Sequence, residues 1–289
     1  MPAAPFCASR LRVTVPVSSS AHLPARAVAR KAGPPAGSPT AANECLDGFR
    51  RRGARASYGV GLPLAALLLL TATPAAAAVG GDVTLLSEAM FRGRSISAGR
   101  PAARIGLSYD DLAGPYAGLS VTGVLAEEGE AQLLSVQEYA GFAHPLQPEL
   151  TLDIGVVNTR YSRYWSGDRR AGYTEIYAGL IGRRINGRIS LSPNYLRHGR
   201  KAAYGELNAI LVSSDIWDVS AHGGVLLWIG GSRPDGARSA HYDWEIGGGP
   251  RIGQFRIRAA WVSGGPNADY YHGGMHHRGR PTISLSASF

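Results

Sequence analysis

The last eight residues, Thr282-Ile283-Ser284-Leu285-Ser286-Ala287-Ser288-Phe289, alternate strictly between polar and apolar side chains. Successive side chains of an extended chain point to opposite sides, so this segment reads as a strand with one apolar and one hydroxyl-bearing face. The same period of two recurs upstream. Phe255, Ile257, Ala259 and Trp261 alternate with Arg256, Arg258 and Ala260, and Leu150, Leu152, Ile154 and Val156 with Thr151, Asp153 and Gly155. Ile176, Ala178 and Leu180 oppose Glu175, Tyr177 and Gly179, while Ile189 and Leu191 oppose Arg188, Ser190 and Ser192. Similar segments near 83–92, 101–109, 116–125, 135–143, 204–212, 217–228 and 240–248 bring the expected number of strands to twelve. Helical spacing is nearly absent beyond residue 79.

The connections decide which kind of sheet these strands build. RGRSISAGR (92–100) is followed by the shorter DDLAGP (110–115), EEGEAQLLS (127–135) by HPLQPE (144–149), and SRYWSGDRRAG (162–172) by RRING (183–187). The series continues with RHGRKAA (197–203) then SSDI (213–216), GGSRPDGARSA (230–240) then GPRIGQ (249–254), and ends on GGPNADYYHGGMHHRGRP (264–281). Long loops at one end and short turns at the other are the mark of an outer-membrane barrel. Twelve strands of about 10 residues with such loops need a chain of about 210, and residues 79–289 number 211. A soluble sandwich or lipocalin-like barrel would bury its apolar faces around large side chains. Here the polar faces instead repeat Gly155, Gly179, Gly224 and Gly247 beside Asp153, Glu175, Asp243 and Glu245, which suits a wet lumen. The expected fold is therefore all-β: an antiparallel, twelve-stranded transmembrane barrel with both ends on the short-turn side. Tyr164, Trp165, Tyr195, Trp217, Trp228 and Tyr242, near strand ends, are expected in its interfacial girdles.

The rest of the chain reads as a leader. Arg50-Arg51-Arg52-Gly53-Ala54-Arg55, an apolar run from Val60 to Ala72 and the Ala-rich exit to Ala78 have the three parts of a secretory signal over residues 50–78. The run is too short for a membrane helix of about 20 residues. Residues 1–49 show no periodicity and are expected to be a disordered extension or the product of a misassigned start. The formal charge of +9 suggests a nucleic-acid binder until it is located. Residues 1–78 hold nine basic residues against Glu44 and Asp47, and the remainder carries 21 basic and 19 acidic. Cys7 and Cys45 also precede residue 79, so a disulfide, a thiolate metal site and a cysteine nucleophile are excluded downstream.

The segment SEAMFRGRSISAGRPAARIGLSY, from Ser87 to Tyr109, resembles the opening of the TorF-like porins of proteobacteria, also called the Gcw-chp family. That opening reads roughly Ser-Asp-Tyr-x-Phe-Arg-Gly-x-Ser, then a short polar loop, Pro-Ala and an alternating strand. GPYAGLSV (114–121), EYAGF (138–142), YTEIYAGL (173–180) and LSPNYL (191–196) are further points of likeness, and Glu88 and Ala89 stand where Asp and an aromatic are usual. The resemblance implies an outer-membrane barrel and brings no catalytic motif. The terminal Phe289 resembles the assembly signal that outer-membrane proteins present to the barrel insertase.

Few residues suggest chemistry. Arg104, Asp153, Glu175, Arg188, Asp243, Glu245, Arg256 and Arg258 fall on polar strand faces and are expected to line a pore, with arginines on one part of the wall facing carboxylates elsewhere. Charge opposition of that kind would choose among small polar solutes; the alternative is a structural or adhesive barrel whose charges pair and close the lumen. Thirteen basic residues on and beside the long loops, from Arg92, Arg94 and Arg100 to Arg278 and Arg280, face only six acidic ones. Arg169, Arg170, Arg200 and Lys201 are the core of this expected extracellular rim, suited to anionic outer-leaflet lipid or to anionic solutes at the mouth. His272, His276 and His277 share a glycine-rich loop and read as surface rather than as a metal site. His222, on the same face as Asp218 and Ser220, would point inward, away from where a lipid hydrolase needs its nucleophile. Gly247-Gly248-Gly249 precedes a turn rather than a helix and binds no phosphate by the usual device. No cofactor, no metal, no nucleic acid and no enzymatic activity are expected.

Overall fold

The computed structural model describes residues 78–126, 129–162, 171–196, 198–231, 239–265 and 279–289. The expected leader and extension lie outside the described residues, except for Ala78. The chain runs through β1 (Ala78–Leu86), two short strands β2 (Met90–Phe91) and β3 (Arg94–Ser95), β4 (Ala102–Asp110), β5 (Pro115–Leu125), β6 (Ala131–Gln147) and β7 (Leu150–Tyr161). It continues through β8 (Gly172–Gly182), β9 (Ile185–Ser192), β10 (Lys201–Ser213), β11 (Trp217–Gly230), β12 (Ala240–Ile252), β13 (Phe255–Gly265) and β14 (Arg280–Ser288).

Twelve of these strands form one closed antiparallel barrel, and β2 with β3 forms a separate hairpin. Consecutive wall strands pair with each other, and β1 closes the ring against both β4 and β14. Closure leaves no unpaired strand edge, which a bilayer would not tolerate. At the seam Val83 faces Ala287 and Leu85 faces Leu285. Gly81 and Phe289 exchange two backbone hydrogen bonds there, at 2.9 and 3.0 Å, so the last residue completes the ring.

The alternation read from sequence becomes an inside and an outside. Ile105 is 61% exposed and Ile189 63%, whereas Asp153 is 1% exposed and Asp243 4%. Apolar outside and polar within is the inverse of a soluble barrel and the arrangement lipid requires. Interior glycines make room for interior tyrosines on neighbouring strands. A Cβ on Gly155 would lie 2.5 Å from the Tyr177 hydroxyl oxygen and 2.6 Å from the Ala140 carbonyl oxygen. Tyr116 packs in the same way over Gly141, directly across the β5–β6 ladder. Gly155→Val should therefore cost about 1–3 kcal/mol through overpacking. Gly205, whose added Cβ would meet nothing, is the control. Urea unfolding of the refolded barrel should show a lowered midpoint for Gly155→Val and little change for Gly205→Val; equal midpoints would refute the packing argument.

Two expectations need correction. The first wall strand is β1 at residues 78–86, not a strand near 83–92, and the sequence around Phe91 leaves the wall. Arg92 and Gly93 both have positive φ, 47° and 73°, as a two-residue hairpin of the I′ class demands. Phe91 and Arg94 pair across that turn. The segment read as one strand near 83–92 is thus interrupted before the turn at Arg92-Gly93. The second correction concerns the girdles. Trp217 and Tyr242 are 53% and 54% exposed, but Tyr195 is fully buried and stacks edge-on against Trp228, ring centroids 5.6 Å apart. Trp228 shares the inward parity of His222 and Leu226, so it packs inside the wall. Tyr164 and Trp165 lie outside the described residues.

Candidate functional site

Inward positions of β5, β7, β8, β9 and β10 build one polar cluster. The Tyr116 hydroxyl donates to Asp153 and shares a second hydrogen bond with the Tyr177 hydroxyl. Arg188 lies 3.7 Å from both Asp153 and Glu206, with its guanidinium 4.5 Å above the Tyr177 ring. A second cluster joins β10, β11 and β12. His222 Nε2 lies 2.9 Å from Asp243 Oδ1, His222 Nδ1 lies 2.8 Å from Asn208 Oδ1, and the Tyr204 hydroxyl donates to Asp243 at 3.0 Å. Further round, Arg258 donates to Glu245 through Nη2 at 2.8 Å and Nε at 3.2 Å, and Arg256 lies 3.2 Å from Asp218.

Arg104, Asp153, Glu175, Arg188, Asp243, Glu245, Arg256 and Arg258 all project to the inner side of the wall. The structure does not place their arginines opposite their carboxylates. Arg258 takes Glu245, Arg188 takes Asp153 and Glu206, and Arg256 takes Asp218, each on nearby strands. Burial explains the difference, because a desolvated charge without a close partner is far costlier than a paired one. Glu206, Tyr204 and Asn208 belong to the site although no role was expected of them; the alternation of Tyr204, Glu206 and Asn208 with Gly205 and Leu207 already carried the signal. Of the expected rim, Arg200 precedes β10 and Lys201 begins it, at the long-loop end. Arg169 and Arg170, and the cluster of His272, His276 and His277, lie outside the described residues.

Arg92 is the residue whose place the sequence concealed. It was expected on the rim, yet only 3% of its side chain is exposed, inside the barrel. Its Nη2 donates to both oxygens of Glu175 on β8, at 2.8 and 2.9 Å. Its guanidinium lies 3.8 Å from the centre of the Tyr204 ring on β10 and 5.1 Å from that of Tyr195. Phe91 stacks on Tyr173 with centroids 5.6 Å apart. Together with Ile96, Leu134, Tyr161 and Leu226 these rings form an apolar core enclosed by the wall toward the long-loop end.

A family model described as "Bacterial protein of unknown function (Gcw_chp)" matches residues 71–289. No curated protein matches the sequence. Among solved structures the chain is similar to the NanC porin at 11% identity and a TM-score of 0.47, over 73% of this chain and 99% of that one. It is similar to the KdgM porin at 8% identity and a TM-score of 0.44, over the same shares. The outer membrane protein OprD from Pseudomonas aeruginosa shares 15% identity at a TM-score of 0.31, over 73% of this chain and 65% of that one.

Proposed function

The chain belongs to the Gcw_chp family of bacterial proteins of unknown function, and from its own wall we propose that it is a porin-like channel of the bacterial outer membrane, passing small polar solutes by diffusion. The observation that carries this reading is the inversion of the barrel: Ile105 and Ile189 face outward while Asp153, Glu175, Arg188 and Arg258 face a common interior. A twelve-stranded wall with that interior has room for a narrow polar passage. Kinship with the TorF-like porins rests on the Ser87–Tyr109 segment. The eight inward charges would line the passage, and the His222 cluster would be part of its wall rather than a catalytic centre. Residues 50–78 would serve as the secretory leader and 1–49 as an extension before it; cleavage after Ala78 would trim the first residue of β1. Arg169, Arg170, Arg200 and Lys201 would hold anionic outer-leaflet lipid or attract anionic solutes.

Planar-bilayer recording of the purified barrel tests the proposal. Stepwise conductance is the expected result, and a bilayer that stays silent at every voltage would overturn it. One observation favours a second reading, a closed structural or adhesive barrel: the inward charges are paired locally, and an inserted hairpin occupies the interior.

Assembly gives a separate expected outcome. Deleting Phe289 removes both backbone bonds to Gly81 and the ring that covers it. Outer-membrane levels of the truncated chain should fall, because the seam and the signal to the insertase are lost together. Normal levels with unchanged heat-modifiable gel mobility would remove the insertase from the proposal.

A further inference from the structure

We infer that the β2–β3 hairpin is the constriction of this barrel, a plug threaded through the lumen and pinned to the far wall by Arg92. In the closed order of twelve strands, β9 lies six places from β1 in either direction, directly opposite the strand that leads into the hairpin. The two strands that flank β9 supply the anchor: Glu175 from β8 and Tyr204 from β10. With strands about 4.8 Å apart and tilted about 40°, such a wall is roughly 24 Å across. The chain bends at Ser87 and Glu88, its tip meets β12 and β13 at Gly93, and the Arg92 side chain reaches from there to β8 and β10.

The hairpin is held along its length. Its near end stays with the seam, where Ser87 and Ile283 exchange a backbone bond at 2.8 Å and a bond from the Ile283 N–H to the Ser87 hydroxyl at 2.9 Å. Its base is braced internally, the Ala89 N–H donating to the Ser97 hydroxyl at 2.9 Å. At its tip Gly93 fits where no side chain could, since a Cβ would lie 2.6 Å from the Ser263 carbonyl oxygen and 2.8 Å from Asp243 Cβ. The contacts therefore reach β8, β10, β12, β13 and β14. The segment is also as buried as a core: Ala89 is 1% exposed and Phe91 3%. A loop that lay over the mouth would keep one face in water. The far-wall anchor itself is spare. Among the described residues Arg92 Nε and Nη1 have no hydrogen-bond partner and meet ring faces instead. One carboxylate thus carries the polar part of the Arg92 side chain's attachment to β8, beside the contacts of Arg94 and the Arg92 carbonyl with His241 and of Glu88 with Arg280, so a single charge change loosens the pin at the far wall.

This inference rests on the channel reading, and its test separates the two. Conductance is recorded for the full chain, for R92E, for E175R, for the double variant R92E/E175R, and for a chain in which residues 89–97 are replaced by a short Gly-Ser link. Heat-modifiable mobility verifies that each one folds. Both single variants place like charges together and should pass several-fold more current than the parent. The double variant restores the pair and should return toward the parent, and the excised chain should pass the most. Equal currents in all five would overturn the plug and leave the channel standing; a double variant as open as the singles would overturn the pin. If none of them conducts, the channel reading fails, and a thiol decides the plug alone. Met90→Cys in a C7S/C45S background should react slowly with a water-soluble maleimide in the folded barrel and quickly once R92E is added. Equal rates would overturn the seating of the hairpin.

Discussion

Glu245→Ala should destabilise the barrel by about 3–5 kcal/mol, the usual cost of stranding one member of a buried ion pair. Its partner Arg258 is 95% shielded from solvent and bonds Glu245 through two nitrogens. A guanidinium cannot discharge itself, so without Glu245 it stays charged inside the wall. Arg258→Met should cost less, because the carboxyl left behind can take a proton. Removing both charges with Glu245→Leu and Arg258→Met should recover much of the loss, since well-packed apolar replacements of buried pairs are often neutral. Unfolding in guanidinium, followed by tryptophan fluorescence of the refolded barrel, gives the three midpoints. A Glu245→Ala midpoint equal to that of the parent would mean that water reaches Arg258 freely and that the pair contributes nothing.

Ile105→Arg should cost about 2–4 kcal/mol, the penalty for an arginine on the lipid side near the midplane of a barrel. Ile105 is near the middle of β4, 61% exposed, and pairs in register with Val83 on one side and Val121 on the other. Its chain neighbour Arg104 already carries that group on the opposite face, opposite Thr84. The measurement is the same unfolding series in lipid vesicles, with Ile105→Ala as the control that alters size without charge. Were the arginine variant as stable as the alanine one, Ile105 would not face lipid and the inside-outside assignment of β4 would be reversed.

The wall was legible because its rule is local. Ile283, Leu285 and Ala287 declare one face and Ser284, Ser286 and Ser288 the other, with no knowledge of what lies across the sheet. The alternation of loop lengths supplied the direction of each strand, and an even number of strands brought Phe289 back to the first. Inward charges followed from the same parity. Their partners did not, since Arg188 reaches Asp153 and Glu206 on two different strands and register between strands is not written in either one. Trp228 shows the limit of composition: a tryptophan near a strand end suggests an interface, but its parity with His222 and Leu226 had already placed it inside. Arg92 shows a different limit. Its charge predicts the rim, the segment near 83–92 reads as strand, and only the Arg92-Gly93 turn overrides both.

The hairpin is also separate from the wall in what holds it. Most neighbouring wall strands are joined by a single turn or loop, so their pairing closes short stretches of chain. The bonds that seat the hairpin instead join residues 83, 147, 149 and 192 positions apart. Contacts that distant carry a large loop-closure entropy, as does the β1–β14 seam, where Asp82 and Ser288 are 206 positions apart. None of them is a rung of the wall, so the ladder of the cylinder is complete without the hairpin's bonds. The wall and its filling are thus two separate sets of contacts, and a change in one leaves the rungs of the other as they are.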